Sequence, residues 1–103
     1  MATHEIRTAI MYDEAVGSIN MLVNEAQIMK TQATGSGSYT VYGRLSSIAE
    51  YKALTGIDVS TLDVVVECHD DSIYEFDIAG LYDVKVDYVD GVKSVRTRMF
   101  STS

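Results

Sequence analysis

Two runs of alternating apolar and polar residues, which flank the dipeptide Asp90-Gly91, constrain this chain most strongly. An Asp-Gly pair suits the two-residue type I′ turn of a β-hairpin, and alternation gives each strand one face for a core. Residues 81–89 and 92–100 are therefore predicted to form an antiparallel hairpin, with like faces opposed. The predicted cross-strand pairs are Val89 with Val92, Val86 with Val95, Val84 with Thr97, Tyr82 with Met99, Asp83 with Arg98 and Lys85 with Arg96.

A second hairpin is predicted just before the first. Residues 62–69 and 73–78 also alternate, and a three-residue loop brings their two patterns into phase. Asp tolerates the left-handed backbone that such a loop requires, and the loop contains Asp70 and Asp71. The core face of this hairpin is predicted to carry Val64, Val66, Cys68, Tyr74, Phe76 and Ile78.

Two helices are predicted in the first half of the chain. Residues 12–30 have apolar side chains at the i, i+3, i+4, i+7 spacing of an amphipathic helix. Residues 47–50 match the capping box, so a short helix is predicted over 47–55. Residues 39–44 read as a strand between the two helices. The apolar stripe of the long helix comprises Tyr12, Ala15, Val16, Ile19, Leu22, Val23, Ala26 and Met29.

These elements predict the α+β class: one long and one short helix packed on an antiparallel sheet of about 4–6 strands. The length of 103 residues suits one domain, 1–103, and the Gly- and Ser-rich composition of residues 31–38 is typical of a flexible connection. Residues 1–11 are compatible with strand or helix. The lone Cys68 excludes an internal disulfide and is predicted to lie in the core.

Acidic residues dominate the charge of the chain. The formal net charge is −7, and residues 58–90 contain ten acids against the single Lys85. Such a field disfavours direct binding of nucleic acid and favours a protein partner with a basic surface. The predicted protein-binding residues are Asp63, Glu67, Asp70, Asp71, Glu75 and Asp77.

Residue types that support catalysis or metal binding are sparse. His69 and Glu67 share a predicted strand face, and Glu75 or Asp77 from the facing strand would complete a weak site for a divalent metal. The spacing fits known ligand patterns poorly, and neither histidine lies in a nucleophile or metalloprotease motif. We therefore expect no catalytic residue, no cofactor and no metal, and lean against an enzyme.

The leading hypothesis is a non-catalytic acidic protein-binding module, in one version an inhibitor that mimics the charge of nucleic acid. The alternative is a structural subunit of a larger homo-oligomeric assembly, such as a viral particle component. A small enzyme or metal-binding protein centred on His69 is the weakest hypothesis. The sequence has no signal-peptide pattern and no apolar run of membrane-spanning length, so a cytoplasmic protein without membrane contact is expected. The assembly hypothesis assigns apolar contacts to Met21, Ile28, Val65 and Ile73.

Overall fold

The computed structural model describes residues 10–13, 19–35, 37–69, 72–88 and 92–101, and in these ranges the chain forms two antiparallel β-sheets and no helix. The strands are β1 (Ile10–Asp13), β2 (Ile19–Leu22), β3 (Ile28–Gly35), β4 (Ser38–Arg44), β5 (Lys52–Ala53), β6 (Gly56–Asp58), β7 (Val64–Val65), β8 (Glu67–His69), β9 (Ile73–Asp77), β10 (Asp83–Tyr88) and β11 (Val92–Phe100).

The two sheets interleave along the sequence. The first sheet has the order β1-β11-β3-β9-β6-β7, and the second has the order β2-β10-β4-β5, with β8 also paired to β4. Along the described strands, the chain changes sheet at every step except from β4 to β5 and from β6 to β7. Each sheet is therefore held together mainly by strands that are distant in sequence.

The core lies between the inner faces of the two sheets. Along β4, the buried residues Tyr39, Val41 and Gly43 alternate with half-buried ones, which is the pattern of a strand with one face in the core. Aromatic and β-branched residues pack well on such a pleated surface. The buried apolar residues are Met21, Val23, Ala26, Met29, Ala33, Tyr39, Val41, Cys68, Tyr74, Phe76, Ile78, Val84, Val86, Val95 and Met99.

Two tyrosines connect the sheets through hydrogen bonds. The hydroxyl groups of Tyr39 on β4 and Thr31 on β3 lie 2.8 Å apart in the core. The Tyr74 hydroxyl, on the first sheet, accepts a hydrogen bond of 3.1 Å from the backbone amide of His69 on the second. The rings of Tyr39 and Tyr74 meet edge to face, with centroids 6.3 Å apart. Burial raises the pKa of the Tyr39 phenol, so this group stays protonated and available for its hydrogen bond.

The prediction of an α+β fold with a long helix over 12–30 is wrong. The described part of that segment contains the end of β1, all of β2 and the start of β3. Met21 and Val23 are buried while Leu22 is 51% exposed, so the true period is two rather than 3.6. Asn24 has a φ of 52°, a left-handed conformation that a helix interior does not contain.

The short helix predicted over 47–55 is also wrong. Residues 45–49 form bends and turns, and β5 follows at Lys52. Ile48, an apolar residue that such a helix would turn toward the core, is 93% exposed. The flexible connection predicted over 31–38 is mostly strand, since β3 extends to Gly35 and β4 begins at Ser38.

The strands of the predicted last hairpin exist, but they do not pair with each other. In the structure β10 pairs with β2 and β4, while β11 pairs with β1 and β3 in the other sheet. The predicted inward residues, such as Val84 and Val95, are buried, and they belong to inner faces that meet across the core. The alternation of apolar and polar residues identified which face of each strand is buried, but it did not identify which strands pair with each other. The predicted turn at Asp90-Gly91 lies outside the described residues.

The second predicted hairpin is wrong for the same reason. In the structure β8 pairs with β4, whereas β9 pairs with β3 and β6. Tyr74, Phe76 and Cys68 are buried, as predicted. Val64, which was predicted to share their face, is 68% exposed, because in β7 its neighbour Val65 packs against the core and Val64 faces outward.

Close packing at Gly56 gives a stability prediction. A Cβ atom at this position would lie 2.5 Å from Cε2 of the buried Phe76 ring, which is rigid. We expect Gly56→Ala to lower the free energy of unfolding by about 1–3 kcal/mol, through displacement of the ring or backbone. Urea denaturation measures the loss. The matched control is Gly43→Ala, where the nearest atoms are the flexible side-chain ends of Leu81 and Leu54, at 2.7 and 3.2 Å. An equal or larger loss at Gly43 would contradict the prediction.

The hydrogen bond between Tyr39 and Thr31 gives a second prediction. Tyr39→Phe leaves the buried Thr31 hydroxyl without this partner and should cost about 1–2 kcal/mol of unfolding free energy. The double variant Tyr39→Phe/Thr31→Val removes both polar groups and should lose less than the sum of the single variants. A double-mutant cycle in urea measures the coupling, which we expect to be about 1 kcal/mol. Additive losses would show that the bond contributes nothing to stability.

Candidate functional site

The described members of the predicted acidic binding set do not share a face. Glu75 and Asp77 flank the buried Phe76 on β9, so they point outward from the first sheet. Glu67 precedes the buried Cys68 on β8 and points outward from the second sheet. Carboxylates on the opposite outer faces of a sandwich do not form one contiguous acidic surface.

Of the remaining predicted acids, the structure describes one. Asp63 is exposed in the loop before β7, and Asp70 and Asp71 lie outside the described residues. The three acids on strands have neighbours within the protein, and such exposed contacts add little stability. These contacts join Glu75 to Lys30 Nζ (3.6 Å), Asp77 to the Ala79 amide (3.1 Å) and Glu67 to His69 Nε2 (3.5 Å).

The weak metal site that the sequence analysis considered, and did not predict, is not assembled in the described ranges. His69 and Glu67 lie on the outside of the second sheet, whereas Glu75 points out from the first. Within those ranges no three His, Cys, Asp or Glu side chains form a group that would hold a metal ion. Burial raises the pKa of the Cys68 thiol to about 12, so this cysteine carries almost no thiolate at neutral pH.

Exposed apolar side chains come from two parts of the fold. Ten large hydrophobic residues of the described chain are exposed, and the backbone pairing places them at the ends of β2 and β4 and along β6, β7 and the start of β9. We name the first the end patch and the second the edge patch. The end patch comprises Leu22, Leu45, Ile48 and Tyr82, and the edge patch comprises Ile57, Val59, Leu62, Val64, Val66 and Ile73.

The end patch forms where three strands of the second sheet meet. Leu22 at the end of β2 and Arg44 at the end of β4 are both cross-strand partners of Asp83, the first residue of β10. Leu45 and Ile48 project from the loop that follows β4. A cleft with a volume of about 420 Å³ lies beside this loop, with Leu54 in its lining, and a cleft of that volume is within the range of binding pockets.

Arg44 holds the loop of the end patch in place. Its guanidinium donates two hydrogen bonds to the nearly buried carboxylate of Asp83, from Nε to Oδ1 at 2.8 Å and from Nη2 to Oδ2 at 3.0 Å. Nη1 donates to the carbonyl of Ser47, and the guanidinium carbon lies 4.4 Å from the centre of the Tyr51 ring. The bonds to Asp83 raise the pKa of Arg44. Such a bidentate, charge-assisted pair is geometrically specific, so it fixes the position from which Leu45 and Ile48 project.

The edge patch surrounds a tight turn between β6 and β7. Leu62 is 74% exposed and has a φ of 66°, which is unfavourable for a bulky residue. Its amide donates to the Asp58 carbonyl at 2.7 Å, and the Asp58 carboxylate accepts from the Ser60 amide at 2.8 Å. The turn therefore holds an apolar side chain in solvent at a conformational cost. Backbone strain of this kind is often found at functional sites.

The sequence predicted only part of the edge patch. Of the residues assigned to assembly contacts, Ile73 is exposed in the patch, whereas Met21 is buried and Val65 packs against the core. Ile28 is half-buried on β3. Nothing in the local sequence indicated that the backbone of Leu62 would adopt a left-handed conformation. Among the described strands β7 pairs with β6 alone, which is a property of strand order that the sequence pattern does not contain.

The architecture places the chain in the class of two-sheet antiparallel β-sandwiches. No family model matches the chain, and no curated protein matches it. Among solved structures it is similar to the SPBc2 prophage-derived protein YomS, with a TM-score of 0.78 and 18% identity over 100% of this chain and 97% of that one. It is also similar to the PBSX exported protein XepA, with a TM-score of 0.73 and 14% identity, over 94% of this chain and 40% of that one. At these identities the likeness shows the fold alone.

The buried thiol gives a pH prediction. The pKa of Cys68 is raised in the folded state from its ordinary value of about 9 to about 12, so its contribution to stability is complete below pH 9 and is lost as pH rises toward 12. Above pH 9 the free energy of unfolding should fall by up to about 1.4 kcal/mol per pH unit through this group. Cys68→Ala is expected to be less stable overall, and its free energy of unfolding should decline less steeply between pH 9 and 10. Urea denaturation at several pH values gives both slopes, and identical slopes would refute the assignment.

Proposed function

We propose that this chain is a non-catalytic binding module that acts as a structural subunit of a homo-oligomeric assembly. The observation that supports this is that the exposed large hydrophobic residues of the described chain all come from two parts of the fold, the end patch and the edge patch. Single exposed apolar residues are ordinary on protein surfaces, whereas clusters of them mark interaction sites.

The positions of the patches favour contact between unlike surfaces. The end patch lies where β2 and β4 finish in the second sheet, and the edge patch lies along β6 and β7 at the margin of the first. The end patch of one copy would meet the edge patch of the next. A contact of this heterologous type repeats until it closes into a ring or extends as a filament.

The chemistry of the described residues supports a binding role over a catalytic one. His69, the one histidine in the described ranges, is exposed, and its nearby carboxylate is Glu67. Cys68 is buried and protonated at neutral pH. Neither residue is arranged as a nucleophile beside a general base, which is the arrangement that covalent catalysis requires.

The names of the two similar proteins add a weaker consideration. One is a prophage-derived protein and the other a PBSX exported protein, and those words belong to those two proteins. A viral assembly role for this chain is compatible with a fold shared with a prophage-derived protein. No helix that is long and apolar enough to span a membrane occurs in the described residues. The cytoplasmic location expected from the sequence is kept as part of the proposal.

The inhibitor hypothesis stays a prediction. Its support is the net charge of −7, which favours basic partners. A mimic of nucleic acid presents rows of carboxylates to one partner surface, and Glu67 and Glu75 point outward from different sheets. The apolar patches therefore support the assembly role more strongly than the acids support the inhibitor role.

Two polar substitutions test the assembly. Leu62→Asn removes an apolar group from the edge patch while Asn tolerates the left-handed backbone, and Ile48→Ser removes one from the end patch. Each should raise the self-dissociation constant at least about tenfold, equivalent to 1.4 kcal/mol. Light scattering coupled to size-exclusion chromatography measures the mass, and urea denaturation confirms that both variants are folded.

Mixing the variants separates the contact types. A heterologous contact predicts that an equimolar mixture of the two variants forms dimers and nothing larger, because one intact end patch and one intact edge patch remain. Glu25→Ser, a change at an exposed polar position in the turn between β2 and β3, is the control and should not alter the mass. A wild-type chain that stays monomeric up to its solubility limit would contradict the proposal.

A further inference from the structure

Three cationic side chains lie side by side on the outer face of the six-stranded sheet. Arg98 on β11 is the direct cross-strand partner of Lys30 on β3, and Arg96 is the partner of Gln32. Their neighbour Thr97 is buried, so the two arginines point outward. In a chain with a net charge of −7, this places three of the eight Lys and Arg residues at one location.

This arrangement has an electrostatic cost within the sheet. Like charges directly opposite each other on adjacent strands are destabilising, and Arg98 and Lys30 occupy such a pair. Glu75 offsets part of the repulsion with a carboxylate oxygen 3.6 Å from Lys30 Nζ, but both side chains are more than 40% exposed, so the contact is weak. On the other side, Asp13 of β1 is the cross-strand partner of Arg96.

The cations line a shallow depression. Its volume is about 300 Å³, at the lower end of the range for small-molecule sites. Lys30 supplies an ammonium, Arg98 a guanidinium and Gln32 an amide NH₂, which are all hydrogen-bond donors. Ile73, which also belongs to the edge patch, adds an apolar wall. Donors of this kind match the oxygens of phosphates and carboxylates.

We propose that this depression is a binding site for an oxyanion, a phosphate or carboxylate group, held between Lys30 and Arg98 with Gln32 as a neutral donor. Arg96 contributes its charge to the same lining. Glu75 competes with the ligand for Lys30. The site does not depend on the proposed assembly, because its chemistry is that of charge neutralisation rather than of apolar burial.

Anion titrations of the isotope-labelled protein test the site at constant ionic strength. Pyrophosphate is the phosphate probe and citrate is the carboxylate probe, and NMR follows the backbone amides of β3 and β11 and the arginine Nε groups. Arg98→Gln should weaken binding of the preferred probe at least about fivefold, and Glu75→Gln should tighten it about twofold or more. A preference for one probe identifies the oxyanion class.

Lys52→Gln is the matched control, because it removes one positive charge from an exposed position on the other sheet. It should change the affinity less than Arg98→Gln does. Urea denaturation establishes that each variant is folded. The proposal is overturned if neither probe shifts the β3 and β11 signals, or if Lys52→Gln and Arg98→Gln weaken binding equally, which would reflect net charge alone.

Discussion

The burial of Tyr39 between the two sheets is the interaction on which the rest of the structure depends. The ring fills the centre of the core, meets Tyr74 of the other sheet edge to face, and places its hydroxyl 2.8 Å from that of Thr31. A buried polar pair is satisfied only in one arrangement of its elements, so this bond favours one alignment of β4 over β3. Because β4 is bonded to β10, β5 and β8, and β3 to β11 and β9, the same alignment positions these strands as well.

The inward faces of the sandwich could be predicted from sequence, but the strand neighbours could not. The alternation in β10 and β11 correctly places Val84, Val86, Val95 and Met99 in the core. The same alternation is expected whether two strands pair side by side in one sheet or face each other across a core, because both require one apolar face each. An Asp-Gly dipeptide favoured the hairpin, and the structure has the cross-core arrangement instead.

The helix prediction failed because a short apolar segment satisfied two periods at once. Residues 19–29 match the 3.6 spacing through Leu22, which is exposed, and the two-residue spacing through Met21 and Val23, which are buried. Asn24, in a left-handed conformation, separates β2 from β3, and Asn is one of the residues that accept this geometry. β2 pairs with β10 and β3 pairs with β11, strands that are distant in sequence. This pairing makes the segment two strands rather than one helix.

Net charge describes this molecule less well than the placement of its charges does. Surface charges are screened beyond a Debye length of about 10 Å at 0.1 M salt, so a ligand at β3 and β11 senses Lys30 and Arg98 more than distant acids. The net charge of −7 therefore predicted partners with a basic surface. The outer face of the first sheet nevertheless presents Lys30 and Arg98, which are hydrogen-bond donors for an anion. The end patch belongs to the second sheet, whereas the edge patch shares the outer face of the first sheet with this row. Ile57 is the cross-strand partner of Glu75, which contacts Lys30, and Ile73 lines the depression itself. A contact at the edge patch would therefore form beside the cationic depression, and anion binding and assembly would meet on one sheet face.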